Sequence, residues 1–218
     1  MAEMPPLYIF KPNGRFLVAR YLVPRALYGR VPEDVIQDGV ADGVDVCAAR
    51  PEELPFPSRS RRQHRDCDEV WGYFFTRRPA AAGAGGSDDA RGVSAGGCWR
   101  RYGRGEKEYV DDDGGVIALR RRLAFYEAAG EDGGGKRTQW RAKEFRLVEA
   151  AAAFRGVTFH PIAKDLVIWK VYKELLPDEE PAVEYYSSSD DDDDTDEAPK
   201  KTKITVHDLV AGPAATAA

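Results

Sequence analysis

Along most of this chain, short runs of apolar and aromatic residues are separated by Gly, Asp and Pro, the rhythm of strands and turns rather than of long helices. The exception lies near the start. In GRFLVARYLVPRALYG, residues 14–29, Phe16, Leu17, Tyr21 and Leu22 fall at helical spacing and predict a helix that Pro24 kinks or ends. VPEDVIQDGVADGVDVCAARPEELP then predicts a short helical turn, a strand around Val44 to Cys47 and a Pro-marked turn over 51–57. EVWGYFFTRR (69–78) is aromatic and β-prone, a strand with Trp71, Phe74 and Phe75 partly in the core. GCWRRYGRGEKEY (97–109) predicts a basic strand whose root Trp99 and Tyr102 pin to the body. VIALRRRLAFYEA (116–128), KRTQWRAKEFRLVEA (136–150) and DLVIWKVYKEL (165–175) predict three more, with DDDGG and GEDGGG as the turns between. The sum is an α+β domain, a twisted antiparallel sheet with helices near its start.

Three stretches have little to bury. SRSRRQHR (58–65) has no apolar face and predicts an exposed loop, a candidate nuclear-import signal or phosphate contact beside the blander solvated loop. PAAAGAGGSDDARGVSAGG (79–97) predicts a poorly ordered Gly/Ala-rich insertion. From 177 onward order is expected to cease, because SSSDDDDDTDE (187–197) carries like charges and nothing apolar to offset its ordering entropy. The domain boundaries are therefore 1–176 for the folded unit and 177–218 for a disordered acidic tail, with PKKTK (199–203) a short basic patch and Ser187 to Ser189 candidate phosphorylation sites.

Charge sharpens this division. The net charge of −5 splits into 29 basic and 25 acidic residues in 1–176 against 3 and 12 in 177–218. A mildly basic body with a strongly acidic appendage suits a polyanion-binding domain, and it raises the expectation that the tail folds back on the basic strand and lowers the chain's own affinity for DNA. Three scattered cysteines, Cys47, Cys67 and Cys98, form no CxxC pair and suit a reducing compartment. No signal peptide or membrane span is predicted, since nowhere do 18 apolar residues follow one another.

Candidate chemistry concentrates in 97–109. Arg100, Arg101 and Arg104 present planar donor forks, and Gly103 and Gly105 let the backbone approach a bulky polyanion; ordinary surface arginines on a solvated strand and turn are the competing reading. His64 and Cys67 alone cannot make a tetrahedral metal site. No nucleophile context, phosphate-binding loop or calcium loop is present, so neither an enzyme nor a cofactor is expected.

The order of these segments resembles the NAC domain, the plant transcription-factor module. The matching stretches are LYIFKPNGRFLVARYL (7–22), VDVCAARPEELP (44–55), WGYFFTRR (71–78), GCWRRYGRGEKEY (97–109), GGVIALRRRLAFYEA (114–128), KRTQWRAKEFRLV (136–148) and DLVIWKVYKE (165–174), together covering about residues 5–175. The resemblance implies a twisted antiparallel sheet flanked by helices and a strand after the motif Trp that inserts its edge into the DNA major groove. Carried over by position, that Trp is Trp99, the basic readers are Arg100 and Arg104, and Gly103 is the motif glycine. The DNA-contacting set so expected is Arg100, Arg101, Arg104, Lys107, Arg77, Arg78, Lys136 and Arg137, with Leu7, Tyr8, Ile9, Phe10 and Phe16 at a dimer interface.

Departures from the family pattern are visible. Arg101 and Tyr102 replace smaller residues, Gly105 and Glu106 stand where an acidic and a basic residue are usual, and the Gly/Ala insertion replaces a basic segment. Ile9 and Phe16 occupy the places of a dimer-forming Arg and Glu. WRRYG is also similar to the groove-entering strand of the WRKY family, but that fold needs zinc ligands downstream, and after Cys98 only His160 and His207 remain. The resemblance implies a nuclear, DNA-binding transcription regulator whose partners are double-stranded DNA and, as homo- or heterodimer, NAC-family proteins. The alternative is a diverged NAC-like interaction module that acts through protein contacts.

Overall fold

The computed structural model describes residues 9–57, 61–64, 67–78, 90–127, 135–174 and 201–205. Near the amino terminus Asn13 opens the helical segment, its side-chain oxygen accepting the Phe16 N–H at 2.8 Å. Helix α1 (Gly14–Leu17) runs through a π-helical turn (Val18–Leu22) into α2 (Val23–Tyr28), so Pro24 neither ends nor interrupts it. The wide turn explains why. A proline crowds the carbonyl four residues back and lacks an N–H; here the Val23 N–H reaches Val18 O, and the ladder has shifted register just before the ring. Gly29, at φ 72°, closes α2 in the left-handed conformation that only glycine adopts without strain.

Among the described residues nine strands form one twisted sheet: β1 (Arg61–His64), β2 (Cys67–Arg77), β3 (Ala90–Gly92), β4 (Cys98–Arg101), β5 (Lys107–Val110), β6 (Val116–Tyr126), β7 (Arg137–Leu147), β8 (Leu166–Lys173) and β9 (Thr202–Lys203). Their order is β1-β2-β8-β7-β6-β4-β3, with β5 beside β6 and β9 beside β5. Every pairing is antiparallel except β5 with β9. This is the α+β, twisted antiparallel architecture expected.

The sheet is covered on both faces. On one, Leu17, Tyr21 and Leu22 of the helical segment pack against Trp71, Tyr73, Phe75, Tyr109, Phe145 and Ile168. On the other, Val46, Leu54 and Val93 from loops pack against Phe74, Trp99, Phe125, Val167 and Trp169. Each such side chain, fully buried, contributes about 1.5–3 kcal/mol. The two clusters explain why apolar alternation is weak in β8: a strand buried on both faces reads as a continuous apolar run.

Several expectations are corrected. Val44 to Cys47 is a turn, not a strand; the isolated bridge lies at Ala41, against Phe74, because the Asp45 carboxylate accepts the Cys47 N–H and bends the chain. Where a short helical turn was expected, the chain makes two separate hydrogen-bonded turns, Val35 N–H to Pro32 O at 3.4 Å and Gly39 N–H to Ile36 O at 3.0 Å, without a helix. Residues 61–64, expected in a loop, pair with β2 as β1, since backbone hydrogen bonding to a neighbour does not require an apolar face. Of the insertion, 79–89 lies outside the described residues, but 90–97 is built into the fold: β3 pairs with β4, and Val93 and Arg91 are buried. The tail, likewise, is described only at 201–205, where the supposed basic patch supplies β9 and buries Ile204 against the helix-side core.

Candidate nucleic-acid interface

The basic stretch is not one strand. β4 and β5 lie end to end along β6: Arg101 pairs with Leu123 and Lys107 with Arg120, so residues 102–106 bulge out where β6 advances only past Arg121 and Arg122. Gly103 and Gly105, at φ 77° and 71°, make the bulge possible. Gly103 also passes so close to the Arg122 guanidinium that a Cβ there would collide with it. Trp99 anchors the root as expected, fully buried with its ring 5.2 Å from Phe125 and 5.6 Å from Trp169.

Tyr102 is used differently. It is half-buried, and instead of entering the core its ring gathers three guanidinium groups: Arg137 at 5.1 Å, Arg122 at 5.2 Å and Arg141 at 6.0 Å. Arg100 is exposed and lies 4.7 Å over Tyr126, with its Nε 3.2 Å from Cys98 Sγ. Cations held over aromatic faces lose little further side-chain entropy when an anion arrives. Arg104, at the tip of the bulge, is exposed; Lys107 is half-buried at its exit.

The structure brings Arg100, Arg101, Lys136 and Arg137 together at one end of the sheet, around β4 and the adjoining ends of β6 and β7, with Arg104 on the bulge beyond; Lys107 pairs with Arg120, six residues along β6 from Tyr126 and on the order of 20 Å away. It does not bring Arg77 and Arg78 there. Arg77 pairs with Leu166 at the opposite end of β2, four strands across and six residues along from Arg100, on the order of 25 Å away. The two arginines instead line a cavity of about 430 Å³ with Asp42, Asp45 and Cys47. Burial pushes the Cys47 thiol up to about 12, helped by the Asp45 carboxylate.

Two further expectations meet the structure here. A strand edge offered to the groove would need one side of β4 open, yet β3 is hydrogen-bonded to it over Cys98–Arg100, so what projects is the bulge rather than the strand edge. Glu106 within the bulge does not face solvent alone; it pairs with Arg146 at 2.8 Å. Of the dimer set, Leu7 and Tyr8 lie outside the described residues. Phe10 is buried against Tyr21 and Tyr73, and its carbonyl accepts the Trp71 indole N–H at 2.8 Å, so it serves the core; Ile9 and Phe16 are exposed.

Sequence reasoning missed Arg122, Arg141, Lys143 and Lys170. The signal was there: β6 and β7 each carry two cations at a spacing of two, Arg120 with Arg122 and Arg141 with Lys143, and that spacing puts both on one face of a strand. No group of His, Cys, Asp and Glu placed to hold a metal occurs among the described residues, and no described helix is long and apolar enough to cross a membrane.

A model of the family described as No apical meristem (NAM) protein matches residues 5–147. NAC domain-containing protein 67 of Oryza sativa subsp. japonica is 30% identical over 158 residues, 71% of this chain and 51% of that protein. NAC domain-containing protein 41 of Arabidopsis thaliana is 27% identical over 148 residues, 68% of this chain and 47% of that protein. The chain spans about half the length of the curated relatives it matches. With the twisted sheet, the buried motif Trp99 and a family match covering most of the folded region, the chain belongs to the No apical meristem, or NAC domain, family.

Proposed function

We propose that this protein is a nuclear transcription regulator that binds double-stranded DNA through the bulge between β4 and β5 and the cations gathered around it. The observation that carries this reading is the assembly of Arg122, Arg137 and Arg141 around the Tyr102 ring, beside exposed Arg100 and Arg104. A major groove about 12 Å wide admits a protruding two-strand element. Arg104 at the bulge tip takes the base-reading position, where one bidentate contact to guanine is worth about 1–3 kcal/mol of discrimination. Arg100, Lys136 and Arg137 hold phosphates on either side. Arg77 and Arg78 make no contact with the same stretch of DNA.

The test is selection from a randomised duplex pool by the full chain at two salt concentrations, repeated with Arg104→Ala and with Arg100→Glu. An enriched motif that survives the higher salt, lost in Arg104→Ala, and a uniformly weaker affinity with a shallower salt slope in Arg100→Glu are the expected results. Binding without enrichment removes the sequence-specific reading.

A second reading has an observation of its own. Glu106 places a carboxylate in the bulge, paired with Arg146, where it repels phosphate, while Ile9 and Phe16 expose apolar surface beside α1. Both suit a module acting through a homo- or heterodimer with NAC-family proteins. Sedimentation of the wild type and of Phe16→Asp distinguishes them: a dimer that dissociates in the variant places the interface here.

A further inference from the structure

The outer edge of β5 carries the one parallel strand pairing of the sheet among the described residues. Thr202 and Lys203 of β9 lie beside Tyr109 and Val110, and the Ile204 N–H donates to Val110 O at 2.6 Å. Along 201–205 burial alternates as in a strand: Thr202 is half-buried and Ile204 is 1% exposed, whereas Lys201, Lys203 and Thr205 are exposed. Ile204 joins the helix-side core that contains Leu17, Tyr109 and Phe145. On the solvent side Lys201 lies 3.5 Å from Glu108 and Lys203 3.9 Å from Asp112, and the Thr205 hydroxyl donates to the Asp112 carboxylate at 3.4 Å.

The edge therefore recognises three properties of a strand laid on it: an extended backbone, one aliphatic side chain directed inward, and cations at alternate outward positions. Charge gives it a direction. Glu108, Asp112 and exposed Asp113 make an acidic rim on a body whose residues 1–176 are mildly basic, and such a rim selects a cationic segment and rejects an anionic one.

The segment seated there is short and lightly held. β9 is two residues long, one aliphatic side chain beside it is buried, and Lys201 and Lys203 are 67% and 64% exposed, so water and salt screen their ion pairs. β5 also offers more than β9 uses. It runs over Lys107–Val110, and β9 pairs only with Tyr109 and Val110. A strand that continued beside Lys107 and Glu108 would lengthen a ladder that β9 leaves at two pairs.

We propose that the outer edge of β5 is a docking site for a basic extended segment of another protein, of the pattern Lys-x-Lys-Ile, and that residues 201–205 occupy it in cis until such a segment displaces them. Tethered to the same chain, 201–205 competes at an effective concentration on the order of millimolar, so a partner displaces it by pairing along more of β5. This docking is independent of DNA.

The probe is the fluorescein-labelled peptide PKKTKITV, the sequence of residues 199–206, added to the full chain. Ile204→Asp is expected to bind it at least about tenfold more tightly than wild type, whose edge is already filled, and Glu108→Lys with Asp112→Lys in the same background is expected to lose that gain. A peptide with Asp in place of the isoleucine is expected to bind neither protein. In wild type, unlabelled peptide on the order of 1 mM is expected to speed hydrogen exchange at the Ile204 N–H severalfold, because it displaces β9. If circular dichroism shows that Ile204→Asp loses the sheet, Lys201→Glu with Lys203→Glu, both at exposed positions, frees the edge instead. Equal peptide affinity of wild type and the released variant overturns the docking site. So does peptide binding to wild type that leaves Ile204 exchange unchanged, since the peptide then sits elsewhere. A released variant that takes up no peptide but sediments as a dimer assigns the edge to a second copy of this chain and overturns the partner.

Discussion

Arg121 and Glu144 face each other across β6 and β7 in register, the guanidinium 2.7 Å from the carboxylate, with both side chains at 2% exposure or less. The same carboxylate accepts the Trp169 indole N–H at 3.1 Å, so one acid ties three neighbouring strands at the centre of the sheet. A pair buried this deeply contributes little net stability while intact, because desolvation of both ions offsets their attraction; it is costly when halved.

Glu144→Ala is expected to destabilise the fold by about 3–5 kcal/mol, because it removes the buried carboxylate that the Arg121 guanidinium and the Trp169 N–H share. Arg121→Met combined with Glu144→Leu is expected to recover most of that loss. Urea unfolding of the three proteins checks it, and a double variant as unstable as the single one would show that the pair itself stabilises the sheet.

Gly103→Ala is expected to cost about 1–2 kcal/mol, since an L-residue is strained at φ 77° and its Cβ displaces the Arg122 guanidinium from Tyr102. DNA affinity is expected to fall more than in Gly114→Ala, which has φ 83° but open space around it. Measuring both variants separates backbone strain, common to the two, from loss of the cation cluster.

Cys47 and Cys98 are expected to differ in reactivity. With its thiol pushed up to about 12 by burial, then by Asp45, Cys47 stays neutral and resists alkylation at pH 8, whereas half-buried Cys98 is modified first. The sign for stability follows. A group whose pKa is raised in the fold contributes fully below its unfolded value near 9.0, and that contribution is lost as pH rises toward 12. Pulsed alkylation with mass spectrometry, and unfolding curves above pH 9 for wild type and Cys47→Ala, measure the two effects.

Ile204→Asp is expected to release β9 without unfolding the sheet, because it removes the one buried side chain, worth about 1.5–3 kcal/mol, that follows directly on this two-residue strand. Limited proteolysis is expected to cleave near residue 201 far faster than in wild type, while the main thermal transition moves less than in Glu144→Ala.

Much of the architecture was written locally. Strands β2, β6, β7 and β8 follow from aromatic and β-branched runs bounded by Gly and Asp turns, and Trp99 as an anchor follows from a large apolar side chain among arginines. Short-range signals of this kind also marked the segment order that matches the family. They misjudged elements with no apolar face of their own: β1, β3 and β9 form because a neighbouring strand offers its backbone hydrogen bonds, which no local pattern records.

The candidate site divides the same way. Arginines clustered in sequence around Trp99 pointed to Arg100 and Arg104, whereas only the pairing register shows that Arg77 sits at the opposite end of β2 from them. Only the pairing register decided that Lys170, Lys143 and Arg122, dozens of residues apart, form one row, and that residues 201–205 lie beside β5. Amino-acid identity sets which face of a strand a side chain takes and whether it carries charge. Which strands become neighbours is fixed by hydrogen bonding and burial summed over the whole sheet, and that sum exists only in the tertiary structure.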